Sequence, residues 1–245
     1  MILEGRISVK AALLGGKREV EQLWIRDTLD DRDTKFIIRR AEERNVPVHY
    51  VSAQEIDQRA SGRTHGGILA ETGNREYQSA ENALDCENPF IVLLEGVEDP
   101  FNLGYVIRSL YSAGCTGLIL RKRSWENAES TIVRSSAGAS EYINLIMSEE
   151  PAETLRQLKR KGLYVYAAMR KDAISYFDAD FTKPAVLCIG GEMRGLSASV
   201  LKECDQNIYI PYANDFRAAL NAAGASAALG FEVMRQRSRK GQLWK

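Results

Sequence analysis

The sequence predicts an α/β protein of two domains, the larger built on a parallel sheet. Three observations support this reading. From residue 89 onward, short apolar runs alternate with stretches of helical period, the rhythm of strands joined by crossover helices. A polar, aperiodic stretch over residues 72–89, rich in Asn and Glu, separates a short first part from a longer second one. Three of the later apolar runs end in turns of Asn, Gly, Pro or charged residues, and in open parallel sheets ligands bind beyond the carboxyl ends of the strands. The domains so delimited are residues 1–72 and 89–245, with residues 73–88 as linker.

In the first domain residues 8–14 read as a helix that Ser8 can cap. Residues 20–25 form a strand, and residues 34–45 an amphipathic helix with Phe36, Ile37 and Ala41 inward. Residues 46–51 make a second strand, which Pro47 assigns to a sheet edge. A short helix at 53–60 and a strand at 67–70 close the domain. In the second domain strands are expected at 90–94, 117–120, 165–168, 186–189 and 208–210, and helices at 104–113, 152–161, 199–203 and 219–236. Strands this uniformly apolar belong in a sheet covered on both faces.

Bulk properties exclude several classes. The 245 residues are 44% hydrophobic and 27% charged, with 33 basic and 33 acidic side chains, the composition of an ordinary globular protein. No apolar run approaches the roughly 18 residues of a membrane span. Met1-Ile2-Leu3-Glu4-Gly5-Arg6 lacks the basic and apolar segments of an export signal, so the expected location is cytoplasmic. Cys86, Cys115, Cys188 and Cys204 have no C-x-x-C spacing, and His49 and His65 are the only histidines. No metal site is expected, and the cysteines read as buried thiols. Arg121-Lys122-Arg123, and Arg235, Arg237, Arg239 and Lys240, are local basic clusters in a chain of zero net charge, which permits nucleic acid without requiring it.

The three turns carry the chemistry. In the first, Asp99-Pro100-Phe101-Asn102 follows a strand; Asn102 is a natural N-cap, and Arg108, about a turn and a half on, can present its donor fork to a phosphate or ribose. In the second, Gly190 and Gly191 permit a sharp turn before Glu192-Met193-Arg194-Gly195-Leu196-Ser197. Neither G-x-G-x-x-G nor the P-loop pattern fits it. The third couples Ile210-Pro211 to Ala219-Leu220-Asn221 and a helix unusually rich in small residues. There Leu220, Ala223, Ala227, Phe231 and Met234 recur at helical spacing, as a core or interface stripe.

In order and spacing these motifs resemble those of the SpoU, or TrmH-like, branch of the SPOUT RNA methyltransferases. Glu4-Gly5-Arg6-Ile7-Ser8-Val9 and Thr64-His65-Gly66-Gly67-Ile68-Leu69-Ala70 resemble the SpoU substrate-binding domain, so the likeness covers nearly the whole chain. It implies a parallel-sheet domain with a deep trefoil knot, plus a small ribosomal-protein-like α/β domain at the amino end. The knot rests on the resemblance alone, since ordinary topology rules disfavour knots. The resemblance further implies a homodimer that uses S-adenosylmethionine to methylate a ribose 2′-hydroxyl, with ribosomal RNA favoured and transfer RNA possible. On this chain it assigns Arg108, Asn102, Glu192 and Asn221 to the reaction centre. Backbone groups at Gly190, Gly191, Ile210, Pro211 and Leu220 would hold the cofactor. RNA contacts fall on Arg6, Arg63 and His65, and on Arg134 and Ser136 in the family-like segment 130–139.

The chain departs from the family pattern in the third motif. The usual S-L-N-x-S reads Ala219-Leu220-Asn221-Ala222-Ala223, so both serines are alanine, and the loop from Pro211 to Leu220 is one residue longer. An RNA-binding relative with little or no catalysis is therefore an alternative. A dinucleotide-dependent enzyme is disfavoured because the first strand–helix turn lacks the glycine fingerprint, and a Rossmann-type methyltransferase because the glycine-rich turn comes so late.

Overall fold

The computed structural model describes residues 1–191, 193–216 and 218–238. The first elements are β1 (Ile2–Glu4), α1 (Arg6–Gly15), β2 (Val20–Arg26), α2 (Arg32–Glu43), β3 (Val48–Val51), α3 (Ala53–Arg59) and β4 (Ile68–Thr72). They are followed by β5 (Phe90–Glu95), α4 (Pro100–Ser112), β6 (Gly117–Arg121), α5 (Glu129–Ser135), β7 (Asn144–Ser148) and α6 (Pro151–Arg160). The last are β8 (Tyr164–Ala168), β9 (Ala173–Ser175), β10 (Ala185–Gly190), α7 (Ala198–Leu201), β11 (Gln206–Tyr209) and α8 (Ala222–Arg237). β1, β7 and β9 were absent from the sequence reading. Two compact units result, Met1–Glu76 with Ser124–Tyr142, and Tyr77–Arg123 with Ile143 onward.

In the first unit the sheet runs β1-β4-β2-β3, with β2 and β3 parallel and the other pairs antiparallel. β3 is the edge that Pro47 implied; the Pro47 carbonyl accepts from the Leu23 amide at 2.9 Å. Leu3, Val9, Leu13, Leu23, Ile25, Ile37 and Ile68 form the core. α1 starts two residues earlier than expected, behind Gly5, whose φ of 86° suits glycine. Ser8 is therefore a buried residue inside the helix, and its capping role is corrected. α2 likewise opens earlier, because the Asp31 carboxylate accepts from the Asp33 and Thr34 amides, both at 3.1 Å.

The single boundary expected at residues 73–88 is incomplete, since residues 124–142 pack with the first unit. Val133 of α5 joins its core. A Cβ added to Gly15 would lie 1.9 Å from the Glu141 carbonyl oxygen, so only glycine allows that approach. Glu129 and Glu141 bring two carboxylates to Arg18 and Arg75, and none of the four side chains is more than 6% exposed. Burial acts to lower the Arg18 pKa, but Glu141 and Glu129 outweigh it and raise the value. Sequence spacing could not bring these four groups together, because they come from three separate stretches of chain.

The second unit holds a seven-stranded parallel sheet in the order β7-β6-β5-β10-β8-β11-β9. Every residue of β5 is buried, as both-face coverage requires. α4 starts at Pro100, not Gly104: Asp99 caps it, accepting from the Asn102 amide at 2.8 Å, and Pro100 takes the first helical position. Asn102 therefore does not cap α4. α8 starts at Ala222, capped by Asn221, which accepts from the Gly224 amide at 2.7 Å. Its buried side carries Ser226, Leu229, Gly230 and Val233, with Gly230 close to Leu110 and Ala113 behind α4. The expected stripe is instead the more open side: Leu220 precedes the helix, Ala223, Ala227 and Met234 are half-buried, and Phe231 is exposed. Of the cysteines, Cys115 and Cys188 are buried, Cys204 partly so, and Cys86 is exposed, correcting the expectation for all four. Burial pushes the Cys115 thiol up to about 12. Among the described residues no helix is long and apolar enough to cross a membrane.

Candidate active site

The three turns lie where β5, β10 and β11 end, all at the carboxyl edge of the sheet. β5 and β10 are paired so that Gly190 sits opposite Glu95. The Gly191 amide donates to the Glu95 carbonyl at 2.6 Å, and the Gly195 amide to the Gly191 carbonyl at 3.0 Å. A Cβ at Gly191 would lie 2.2 Å from the Gly96 carbonyl oxygen, and one at Gly190 would lie 2.4 Å from the Gly195 carbonyl carbon. The glycines are thus needed for contact between two backbones.

Glu95 organises the far side of the turn. Its carboxylate is buried and accepts from the Ser197 amide at 2.8 Å, the Ser197 hydroxyl at 3.2 Å and the Arg121 guanidinium at 3.3 Å. Ser197 in turn caps α7. A carboxylate closing an otherwise apolar strand was the signal for Glu95, which the sequence reading passed over.

Between the turns lies a cavity of about 470 Å³. Its walls are the end of β8 with Met169 and Arg170, the second turn, and the segments around Ile210 and Leu220. Of the five residues expected to hold the cofactor, Gly190, Gly191, Ile210 and Leu220 line it, whereas Pro211 is not a lining residue. The Tyr212 hydroxyl accepts from the Leu220 amide at 2.9 Å, and the Arg170 guanidinium lies over the Tyr212 ring at 4.8 Å. A second cavity of about 360 Å³ is lined by Asp99, Asn102, Met193 and Ala222. Arg194 lines both. Among the described lining residues of the larger cavity, Arg170 and Arg194 carry charge, and the rest are apolar or small except for two tyrosines.

These features match known proteins. The SpoU rRNA methylase family pattern fits residues 89–231, more than half of the chain. The chain belongs to the SpoU rRNA methylase family. A second pattern, RNA 2′-O ribose methyltransferase substrate binding, fits residues 2–78. The chain is 30% identical over 245 residues to a 23S rRNA (guanosine-2′-O-)-methyltransferase, RlmB, of Yersinia pestis, covering 98% of each. The SpoU methyltransferase AviRb from Streptomyces viridochromogenes, in complex with the cofactor AdoMet, superposes with a TM-score of 0.78 at 23% identity, over 97% of this chain and 90% of that one. The A. aeolicus TrmH/SpoU tRNA modifying enzyme gives a TM-score of 0.54 at 24% identity, over 60% of this chain and 75% of that one.

The remaining site residues of this SpoU methyltransferase are distributed unevenly. Arg108 is exposed on α4, two turns into the helix; it lines neither cavity, and among the described residues its guanidinium has no hydrogen-bond or ion-pair partner. Asn221 spends its side-chain oxygen on the α8 cap. Glu192 lies outside the described residues, as do Arg239 and Lys240 of the C-terminal basic cluster.

The RNA candidates all fall in the first unit. Arg63 and Arg134 are exposed, and both lie beside Gly62, where an added Cβ would be 3.8 Å from Arg134 Nη1. Arg6 is paired with Asp31. His65 is buried, its Nδ1 accepting from the Gly67 amide at 3.1 Å and its Nε2 reaching Asp57 at 3.1 Å. Ser136 is fully buried, donating to the Val133 carbonyl at 3.0 Å and accepting from the Ser140 amide at 3.2 Å. His65 and Ser136 thus use these polar atoms within the first unit.

Proposed function

We propose that this SpoU protein transfers a methyl group from S-adenosylmethionine to a ribose 2′-hydroxyl of ribosomal RNA. The observation that carries the reading is the pair of cavities at the carboxyl edge of the sheet, which meet at Arg194. The larger is in the size range of small-molecule sites, apolar enough for a nucleoside base, and edged by main-chain groups of the turns at Gly190, Ile210 and Leu220. S-adenosylmethionine fits that chemistry, and when bound it supplies a methyl carbon attached to a good leaving group. The residues of the chain then mainly position the attacking hydroxyl, which is where most of such a barrier is overcome.

Arg108 remains charged at neutral pH because a guanidinium pKa lies above about 12. It is assigned as a donor that fixes a phosphate or the hydroxyl, not as the base. Asn102, on the wall of the second cavity, orients the ribose. Asn221 sets the start of α8 and so the position of Leu220, and the family resemblance keeps Glu192 in the reaction centre. Arg63 and Arg134 are the RNA contacts that the exposure pattern favours.

Ribosomal RNA is preferred because the substrate-binding pattern and the RlmB match both include the first unit, whereas the match to the tRNA enzyme covers only 60% of the chain. The reading includes a homodimer, supported by Phe101 and Tyr105 on α4 and Phe231 on α8, all exposed. It also includes a trefoil knot at the second and third motifs. The support is the strand order, in which β10 inserts between β5 and β8 while the chain returns on β11, beyond β8. A cytoplasmic location follows from an RNA substrate.

The test is transfer of labelled methyl from S-adenosylmethionine to unmodified ribosomal and transfer RNA, followed by nucleoside analysis. Methyl on a ribose of ribosomal RNA is expected. Methyl on a base, or none from a preparation that binds the cofactor, overturns the reading; the second result favours the non-catalytic relative suggested by Ala219 and Ala223. A further expectation concerns Gly190→Ala. Its new Cβ meets backbone of Gly195 and Leu196, at 2.4 and 2.6 Å, and backbone cannot step aside as a side chain can. Affinity for S-adenosylmethionine should fall at least about tenfold, or about 1.4 kcal/mol, by calorimetric titration; unchanged affinity would contradict the pocket assignment.

A further inference from the structure

We propose that Glu95 is a positioning residue for the methyl donor, its carboxylate holding the second turn in the shape that binds it. The proposal rests on the larger cavity being the S-adenosylmethionine site. Gly190, Gly191, Arg194, Gly195 and Leu196 line that cavity, so the second turn makes one of its walls. A wall built largely of main chain meets a ligand through backbone groups. Such groups bind well only when their conformation is set before the ligand arrives.

Glu95 grips the turn at both ends. Its main-chain carbonyl accepts from the Gly191 amide at 2.6 Å, a bond that any residue at position 95 could make. Its side chain makes the other grip: Oε2 accepts from the Ser197 amide at 2.8 Å and Oε1 from the Ser197 hydroxyl at 3.2 Å. Arg121 donates to Oε1 at 3.3 Å. Among the described residues the carboxylate bonds to Ser197 and Arg121 alone. Every other residue of β5 is apolar, and Glu95 is 6% exposed. A carboxylate buried there costs free energy unless it is bonded and paired, and here its bonds serve the turn. Glu95 lines neither cavity, so it acts on a ligand through the turn and not by touching it.

The test measures binding of S-adenosylhomocysteine to the full chain by calorimetry, for the parent, Glu95→Ala, Glu95→Asp and Glu95→Gln. Methyl-transfer kinetics on ribosomal RNA are read beside it. Glu95→Ala releases the Ser197 end of the turn and should weaken the ligand about tenfold or more. Glu95→Asp keeps the charge but falls one methylene short of Ser197, and should lose nearly as much. Glu95→Gln keeps the reach and an oxygen for the Ser197 amide, while the Ser197 hydroxyl can accept from its NH2. It should stay within about threefold of the parent. In the kinetics, the KM for S-adenosylmethionine should rise in the Ala and Asp variants, with kcat and the KM for RNA near parental. Should Glu95→Ala fail to fold, Glu95→Asp against Glu95→Gln carries the same comparison. Parent-like affinity in Glu95→Asp would overturn the assignment, as would equal loss in Asp and Gln, or a fall in kcat with affinity kept. A parent that binds no S-adenosylhomocysteine overturns both the assignment and the cofactor reading. A parent that shows the Glu95-dependent affinity yet methylates no RNA overturns only the proposed function.

Discussion

Replacing Arg108 with alanine is expected to lower kcat for RNA methylation by about two orders of magnitude, about 2.7 kcal/mol of transition-state stabilisation. Affinity for S-adenosylmethionine should stay within about tenfold. The separation of effects follows from location. Arg108 is two turns into α4, exposed, outside the wall of the larger cavity and without a partner among the described residues. A cation left free in this way gives the fold little, so its loss should not disturb the pocket. Arg108→Lys keeps the charge and loses the planar fork, so a donor that must grip a phosphate bidentately predicts only partial rescue. Methyl incorporation at saturating cofactor, read beside calorimetric binding, decides it. Parent-like turnover in Arg108→Ala would remove Arg108 from the reaction, and a matching loss of cofactor affinity would move it into the pocket.

What could be read from the sequence and what could not divide along a physical line. The turns at Gly190-Gly191 and at Leu220-Asn221 were legible because glycine, asparagine and proline impose local backbone geometry wherever they stand. The parallel sheet was legible because apolar runs such as 90–94 and 186–189 suit strands covered on both faces. Local competition was harder to read: Asp99-Pro100 outbids Asn102 as the start of α4, since a carboxylate cap followed by proline is the stronger signal. His65 and Ser136 look like surface donors by type, yet their partners are backbone atoms within four residues and an aspartate on α3. Two juxtapositions, Arg170 on Tyr212 at the cavity wall and Glu95 on Ser197 after the second turn, arise from strand pairing across long stretches of chain and leave no periodic trace.

The largest expected loss of stability lies in the first unit, in Glu141→Ala. Glu141 accepts from Arg18 Nε at 3.0 Å and pairs with Arg75, while Glu129 pairs with both arginines. Arg75 also donates to the Ser140 carbonyl at 2.7 Å. With all four side chains nearly sealed from water, removing one carboxylate leaves two guanidinium groups to share the other. Breaking a buried pair in this way costs about 3–5 kcal/mol, far more than the intact pair contributes, because the remaining charge stays desolvated. The fall should appear as a lower urea midpoint for the unfolding of the first unit. A double variant, Arg18→Met with Glu141→Leu, removes one charge of each sign and should recover much of that loss, since apolar replacements of buried pairs are often neutral or better. A cost below about 1 kcal/mol for Glu141→Ala would mean that water reaches the cluster, and the network would then be no tighter than a surface pair. The consequence extends to function through residues 124–142, because the segment that Glu129 and Glu141 fasten also carries Arg134 to its place beside Gly62 and Arg63. Loss of RNA affinity in Glu141→Ala, with cofactor affinity retained, is the signature expected if the buried charges position that pair of arginines.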